Sequence, residues 1–65
     1  MPRIIVEWII GRTKDQRDRI AQDITDTVVK NAMVRPDQVT ILFRENPAEL
    51  QYKGGQSYKP INLKE

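Results

Sequence analysis

The sequence contains no cysteine and no histidine. These absences exclude disulfide staples and a conventional zinc cluster as sources of stability. Apolar bulk is scarce as well: Val, Ile, Leu and Phe number 17 of the 65 residues, with one Trp, one Phe and two Tyr. A chain of this length makes one domain, residues 1–65, near the lower limit of independent stability. So small a core leaves little surplus over chain entropy, which predicts stabilisation by oligomerisation.

Long hydrophobic runs are missing too. Arg3 and Glu7 interrupt the first apolar segment, which therefore reads neither as a signal peptide nor as a membrane span. With the lack of cysteine, which fits a reducing compartment, this predicts a cytoplasmic protein with no membrane partner. Charge of one sign is lacking: 11 Lys and Arg are mixed among 9 Asp and Glu, for a net charge of +2. Without a concentrated basic stripe, no nucleic-acid partner is expected. Glycine is limited to three positions, and Gly54-Gly55 lacks the lysine, spacing and preceding strand of a phosphate loop. It reads as a turn.

What is present begins with MPRIIVEWIIGR. From Arg3 to Ile10 the branched residues predict a strand, with Ile4, Val6, Trp8 and Ile10 on one face and Arg3, Ile5, Glu7 and Ile9 on the other. Both faces carry apolar groups, so a helix is expected over one and a neighbouring subunit over the other. Gly11 ends the strand. Thr13 and Gln16 then form a capping-box pattern, with Asp15 suited to the first turn of a helix. Ile20, Ile24, Val28 and Ala32 recur every four residues and Ala21 and Val29 widen the stripe, while Arg17, Arg19, Gln22, Asp23, Asp26 and Lys30 face away. This predicts a helix from Lys14 to Asn31 or Met33. Pro36 forbids its continuation.

Val39 to Arg44 reads as a second strand, with Val39, Ile41 and Phe43 on one side and Thr40, Leu42 and Arg44 on the other. Strand, helix and strand with short joins predict a right-handed crossover between parallel strands. Asn46-Pro47 signals a turn, and the polar tail from Leu50 predicts a small hairpin or an arm over another subunit. The fold class is α+β, a βαβ unit with parallel strands whose subunits pair. A two-stranded sheet with one helix exposes a sheet face and both edges, which again favours assembly.

Pro2 invites two readings. Proline is tolerated at the first residue of a strand. If Met1 is removed, however, Pro2 becomes a secondary amine held on a rigid ring at the start of a fixed element. Burial beside apolar groups and a nearby cation both disfavour the protonated amine and bring a base toward neutrality. With Met1 attached, the nitrogen is a tertiary amide and has no such use.

Proline after the initiator, the branched first strand, Gly11-Arg12-Thr13, the helix start at Gln16, the Pro36 break, Val39 to Glu45 and the late Gly54-Gly55 together resemble the 4-oxalocrotonate tautomerase family. The likeness covers most of the chain. It implies a fold of paired βαβ units, a homohexamer arranged as a trimer of dimers, and keto–enol isomerisation of a small 2-oxo or enol carboxylate without cofactor or metal. Pro2 matches the family's proton-shuttling proline and Arg12 its carboxylate-binding arginine. Thr40 stands where the best-known members carry a second arginine, and Gln51 where they carry an aromatic residue, with Leu50 and Tyr52 beside it. These departures imply weaker binding of a dicarboxylate or a different substrate.

The oxyanion formed by proton abstraction needs a donor. Thr40, Arg44, Tyr52, Arg3 and Arg35 are candidates, and Gln51 joins Thr40, Arg44 and Tyr52 as a candidate substrate contact. Trp8 reads as core or interface, and the tyrosines Tyr52 and Tyr58 as pocket or interface residues. Two alternatives stand beside the isomerase: a hydratase or dehalogenase of unsaturated acids on the same fold, motivated by Thr40, and a non-catalytic assembly or ligand-binding homologue that keeps Met1.

Overall fold

Two strands, β1 (Arg3–Ile9) and β2 (Thr40–Asn46), pair in parallel, with Arg3 opposite Thr40 and Ile9 opposite Asn46. The structure, a computed structural model, describes residues 1–57. Tyr58 and the rest of the tail, on which the alternative of an arm over another subunit partly falls, lie outside the described residues. Helix α1 (Lys14–Ala32) connects the two strands.

The helix begins where its capping residues dictate. The Gln16 amide donates to Thr13 Oγ1 at 3.1 Å, and Gln16 Oε1 accepts from the Thr13 amide at 2.9 Å. Its end is set by Met33, whose amide donates to the Val29 carbonyl at 3.1 Å while its own backbone turns left-handed at φ 59°. That conformation strains a residue with a side chain, and Met33 is 89% exposed, so its side chain buries almost nothing in return. Met33→Gly is therefore expected to stabilise the fold by about 1 kcal/mol. Thermal denaturation checks this: an unchanged or lower Tm contradicts it.

After the helix, the chain makes a 3₁₀ turn over Pro36–Gln38. The Val39 amide is used there, donating to the Pro36 carbonyl at 3.1 Å, so β2 starts one residue later than the pattern of branched residues predicts. It also runs two residues further, because Trp8 and Ile9 continue the ladder opposite Glu45 and Asn46. Asn46 thus belongs to the strand, and the expected turn begins at Pro47 as a second 3₁₀ turn over Ala48–Leu50. Strands β3 (Tyr52–Lys53) and β4 (Gln56–Ser57) then form the expected hairpin. Its two central residues, Gly54 and Gly55, have φ of 61° and 78°, the pair of positive values that a two-residue hairpin turn of type I′ requires.

On one side of the sheet, Ile4, Val6 and Trp8 with Ile41 and Phe43 are half-buried, as are Ile20, Ala21, Ile24 and Val28 of the helix. Arg17 belongs with them, which corrects its expected place on the solvent face. It lies one turn before Ile20 and Ala21 on the same stripe, and its long apolar stem reaches the sheet while its guanidinium meets Glu45 at 3.4 Å. Ala32 is exposed instead, because the stripe runs out at the helix end. The other sheet face holds Ile5, Ile9 and Leu42 around the hydrogen bond from Asn46 Nδ2 to Glu7 Oε2 at 2.9 Å. Among the described residues nothing covers it: Ile5 is 43% exposed, and no described residue is fully buried.

Candidate functional site

The parallel ladder sorts the candidate residues by the end of the sheet at which they lie. At the start of β1, Pro2 is half-buried and its carbonyl accepts from the Thr40 amide at 3.0 Å. Proline's missing N–H is no loss there, since the ladder uses only the oxygen. Pro2 and Thr40 are therefore neighbours across the strand pair. Met1 is 91% exposed, so removing it would uncover almost no apolar surface.

Arg12 stands at the opposite end. Seven positions separate Pro2 from Ile9, about 23 Å of extended strand. Gly11 then turns the chain with φ 154°, a value that residues with side chains rarely adopt. A single protomer thus keeps the candidate base and the candidate carboxylate anchor apart.

The environment of Arg12 is built by three elements. Its guanidinium carbon lies 4.7 Å from the centroid of the Trp8 ring, and its Nη1 donates to the Ile9 carbonyl at 3.2 Å. Trp8 in turn stacks on Phe43 of β2, with centroids 5.2 Å apart and planes inclined by 23°. The indole Nε1 donates to Glu45 Oε2 at 2.9 Å. Glu45 pairs with Arg17, and Arg17 Nη1 donates to the Arg12 carbonyl at 2.9 Å. Among the described residues, Nε and Nη2 of Arg12 have no protein partner, which leaves one edge of the guanidinium free to take a carboxylate through two parallel bonds. An open groove of about 330 Å³ adjoins it, lined by Arg12, Gln16, Arg19 and Ile20.

Sequence reasoning missed Trp8, Glu45 and Arg17 as neighbours of the site, and Gln16 and Arg19 as groove residues. Helical spacing carried a signal for the last two, since Gln16, Arg19 and Ile20 share a face three and four residues apart. No comparable signal linked Trp8 to Glu45.

The remaining candidates are dispersed. Arg44 is exposed on the bare sheet face, opposite Glu7 in the register. Four positions separate it from Thr40, about 13 Å along the strand, so it cannot occupy the place of a side chain at position 40. Gln51 closes the second 3₁₀ turn, its amide donating to the Ala48 carbonyl at 3.0 Å. Tyr52 opens the hairpin and is 65% exposed. Both belong to the segment that leaves the Arg12 end of the sheet. Among the described residues, no three carboxylates gather as a metal-ligand set, and no helix is long and apolar enough to cross a membrane.

Known proteins are similar to this chain in sequence and fold. The sequence profile of a family described as "Tautomerase enzyme" matches residues 2–59. A protein of Bradyrhizobium diazoefficiens named as a probable tautomerase is 40% identical over 58 residues, covering 89% of this chain and 87% of that protein. Another probable tautomerase, from Lactococcus lactis, is 34% identical over 59 residues, 91% of this chain and 97% of the relative. Among solved structures, one of the 4-oxalocrotonate tautomerase isozymes from Methylibium petroleiphilum superposes with a TM-score of 0.79 at 39% identity, covering 86% of this chain and 88% of its own.

Proposed function

The chain belongs to the tautomerase family, and from that premise we propose that it is an isomerase that moves a proton on a small 2-oxo or enol carboxylate, with Pro2 as the base. The observation that carries this reading is the placement of Pro2: half-buried, tied to β2 through its carbonyl, and preceded by a residue exposed to solvent. Loss of Met1 converts an inert amide into a secondary amine without disturbing the strand. The amine's lone pair takes the proton from the enol hydroxyl or from the carbon beside the carbonyl and returns it at the other position. Charge that builds on the carbonyl oxygen calls for a donor, and Thr40, beside Pro2, is the first candidate. Arg44, Tyr52, Arg3 and Arg35 are the others, from the same or an adjacent protomer, and Gln51 is a candidate substrate contact.

Arg12 holds the substrate carboxylate in this scheme. Because about 23 Å of strand separates it from Pro2 within one chain, the working site joins Pro2 and Thr40 of one protomer to Arg12 of another. The bare face around Ile5, Ile9 and Leu42 supplies the pairing surface, and the family resemblance extends the pair to a hexamer of three dimers. With threonine rather than arginine at position 40, one carboxylate is held firmly and a second only weakly, which favours a monocarboxylate substrate. The cytoplasm is the proposed compartment.

The test offers an enol of a 2-oxo acid to protein lacking Met1 in deuterated water. The expected result is faster ketonisation than in buffer, with deuterium at the carbon next to the carbonyl and no water adduct. An adduct of an unsaturated acid without exchange would establish the hydratase alternative. Neither product would leave a non-catalytic homologue.

A further inference from the structure

We propose that Trp8, Glu45 and Arg17 are positioning residues that hold the Arg12 guanidinium ready for a carboxylate. The inference rests on the reading of Arg12 as the carboxylate anchor. Arg12 follows a glycine in an exposed loop, where a long side chain would ordinarily sample many rotamers. Here it is restrained at both ends. Its backbone carbonyl is gripped by Arg17, its Nη1 by the Ile9 carbonyl, and its charge rests over the indole of Trp8.

The indole is fixed in its turn. Phe43 stacks against it, and Glu45 accepts its N–H. Glu45 occupies the helix-facing side of β2, where the preceding residues on that side, Ile41 and Phe43, are apolar. A half-buried carboxylate at such a place needs partners to offset its desolvation, and it has two, Trp8 and Arg17. Its side chain is 24% exposed and that of Arg17 31% exposed, so water screens their pairing less than it would on an open surface. The contacts form a closed circuit through β1, the loop, α1 and β2, and the circuit leaves the Nε–Nη2 edge of Arg12 free. A tryptophan with only a space-filling role would need an acceptor for its N–H but no cation over its ring.

Trp8 is the sole tryptophan, so its emission reports directly on the cation above it. The experiment uses processed, assembled protein and combines steady-state kinetics on an enol carboxylate with emission spectra and a pyruvate titration. Trp8→Leu is expected to raise KM about tenfold, with kcat changed less than about twofold, because it loosens an anchor and leaves the base untouched. Trp8→Phe keeps the aromatic platform and loses only the indole donor, so its KM should lie within about threefold of the parent. Arg12→Ala should shift the Trp8 emission in the absence of substrate and abolish any response to pyruvate.

Unchanged KM in Trp8→Leu, or a fall in kcat alone, overturns the inference. So does emission that is identical with and without the Arg12 side chain. Should Trp8→Leu fail to assemble, Trp8→Phe and the emission comparison decide by themselves: a Trp8→Phe KM raised well beyond about threefold, or emission identical with and without the Arg12 side chain, refutes it. Failure of the underlying reading looks different, because Arg12→Ala would then turn over acidic substrate as fast as the parent.

Discussion

Pro2→Ala lowers turnover of an enol carboxylate by a factor of about 10²–10³ while KM changes little. The substitution leaves an amine at the chain start once Met1 is removed, so the loss measures what the ring contributes beyond mere basicity. Proline fixes its backbone angle and holds the nitrogen in one direction relative to β1, whereas an N-terminal alanine rotates freely and is solvated more easily. General-base catalysis by a positioned group contributes typically about 10²–10⁴-fold, which bounds the effect. KM is spared because the carboxylate is held elsewhere. The protein that retains Met1 is the natural control, since its Pro2 nitrogen is an amide and its turnover should fall to background. Steady-state rates on the three forms decide the matter, and equal rates in all three exclude a proline base.

Arg12→Ala lowers kcat/KM for an acidic substrate by about 10–100-fold, most of it through KM. A hydrogen bond to a charged group contributes about 1.5–3 kcal/mol, which corresponds to that range. Arg12→Lys should recover only part of the loss, because an ammonium offers a point charge and lacks the planar fork. The methyl ester of the same substrate provides the decisive comparison: parent and Arg12→Ala should handle it alike. If the variant loses as much on the ester as on the acid, Arg12 does something other than bind a carboxylate. The assembly should survive the substitution, since in one protomer the guanidinium is exposed and, among the described residues, makes one hydrogen bond, to Ile9.

Features set by neighbours in the chain were legible from the residues. Thr13 and Gln16 mark the helix start because both halves of the cap lie within four residues, and the hydrogen bonds form as expected. Gly54-Gly55 marks the hairpin because few other residues accept two successive positive φ values. The parallel pairing follows from a helix too long to leave room for a tight turn between the strands. Strand ends were less legible, because β2 is trimmed by the Pro36 turn and extended by its partner, and neither effect is local to its own sequence.

The site was legible in its residues more than in its geometry. Pro2 beside Thr40 follows from the register, which composition alone does not reveal. The distance between Pro2 and Arg12 was implicit in strand arithmetic. The platform under Arg12 was not, since Trp8 and Glu45 stand 37 residues apart and meet only when β1 and β2 align. Arg17 misled for a related reason: charge suggests solvent, yet a long side chain at the edge of an apolar stripe can bury its stem and pair its head.

Whether the nitrogen of Pro2 is free in the assembled protein is tested most directly by the intact mass of the chain isolated from its own cells. The account predicts a single species lighter than the full translation product by one methionine residue. A mass that keeps Met1 throughout the catalytically active assembly would contradict it.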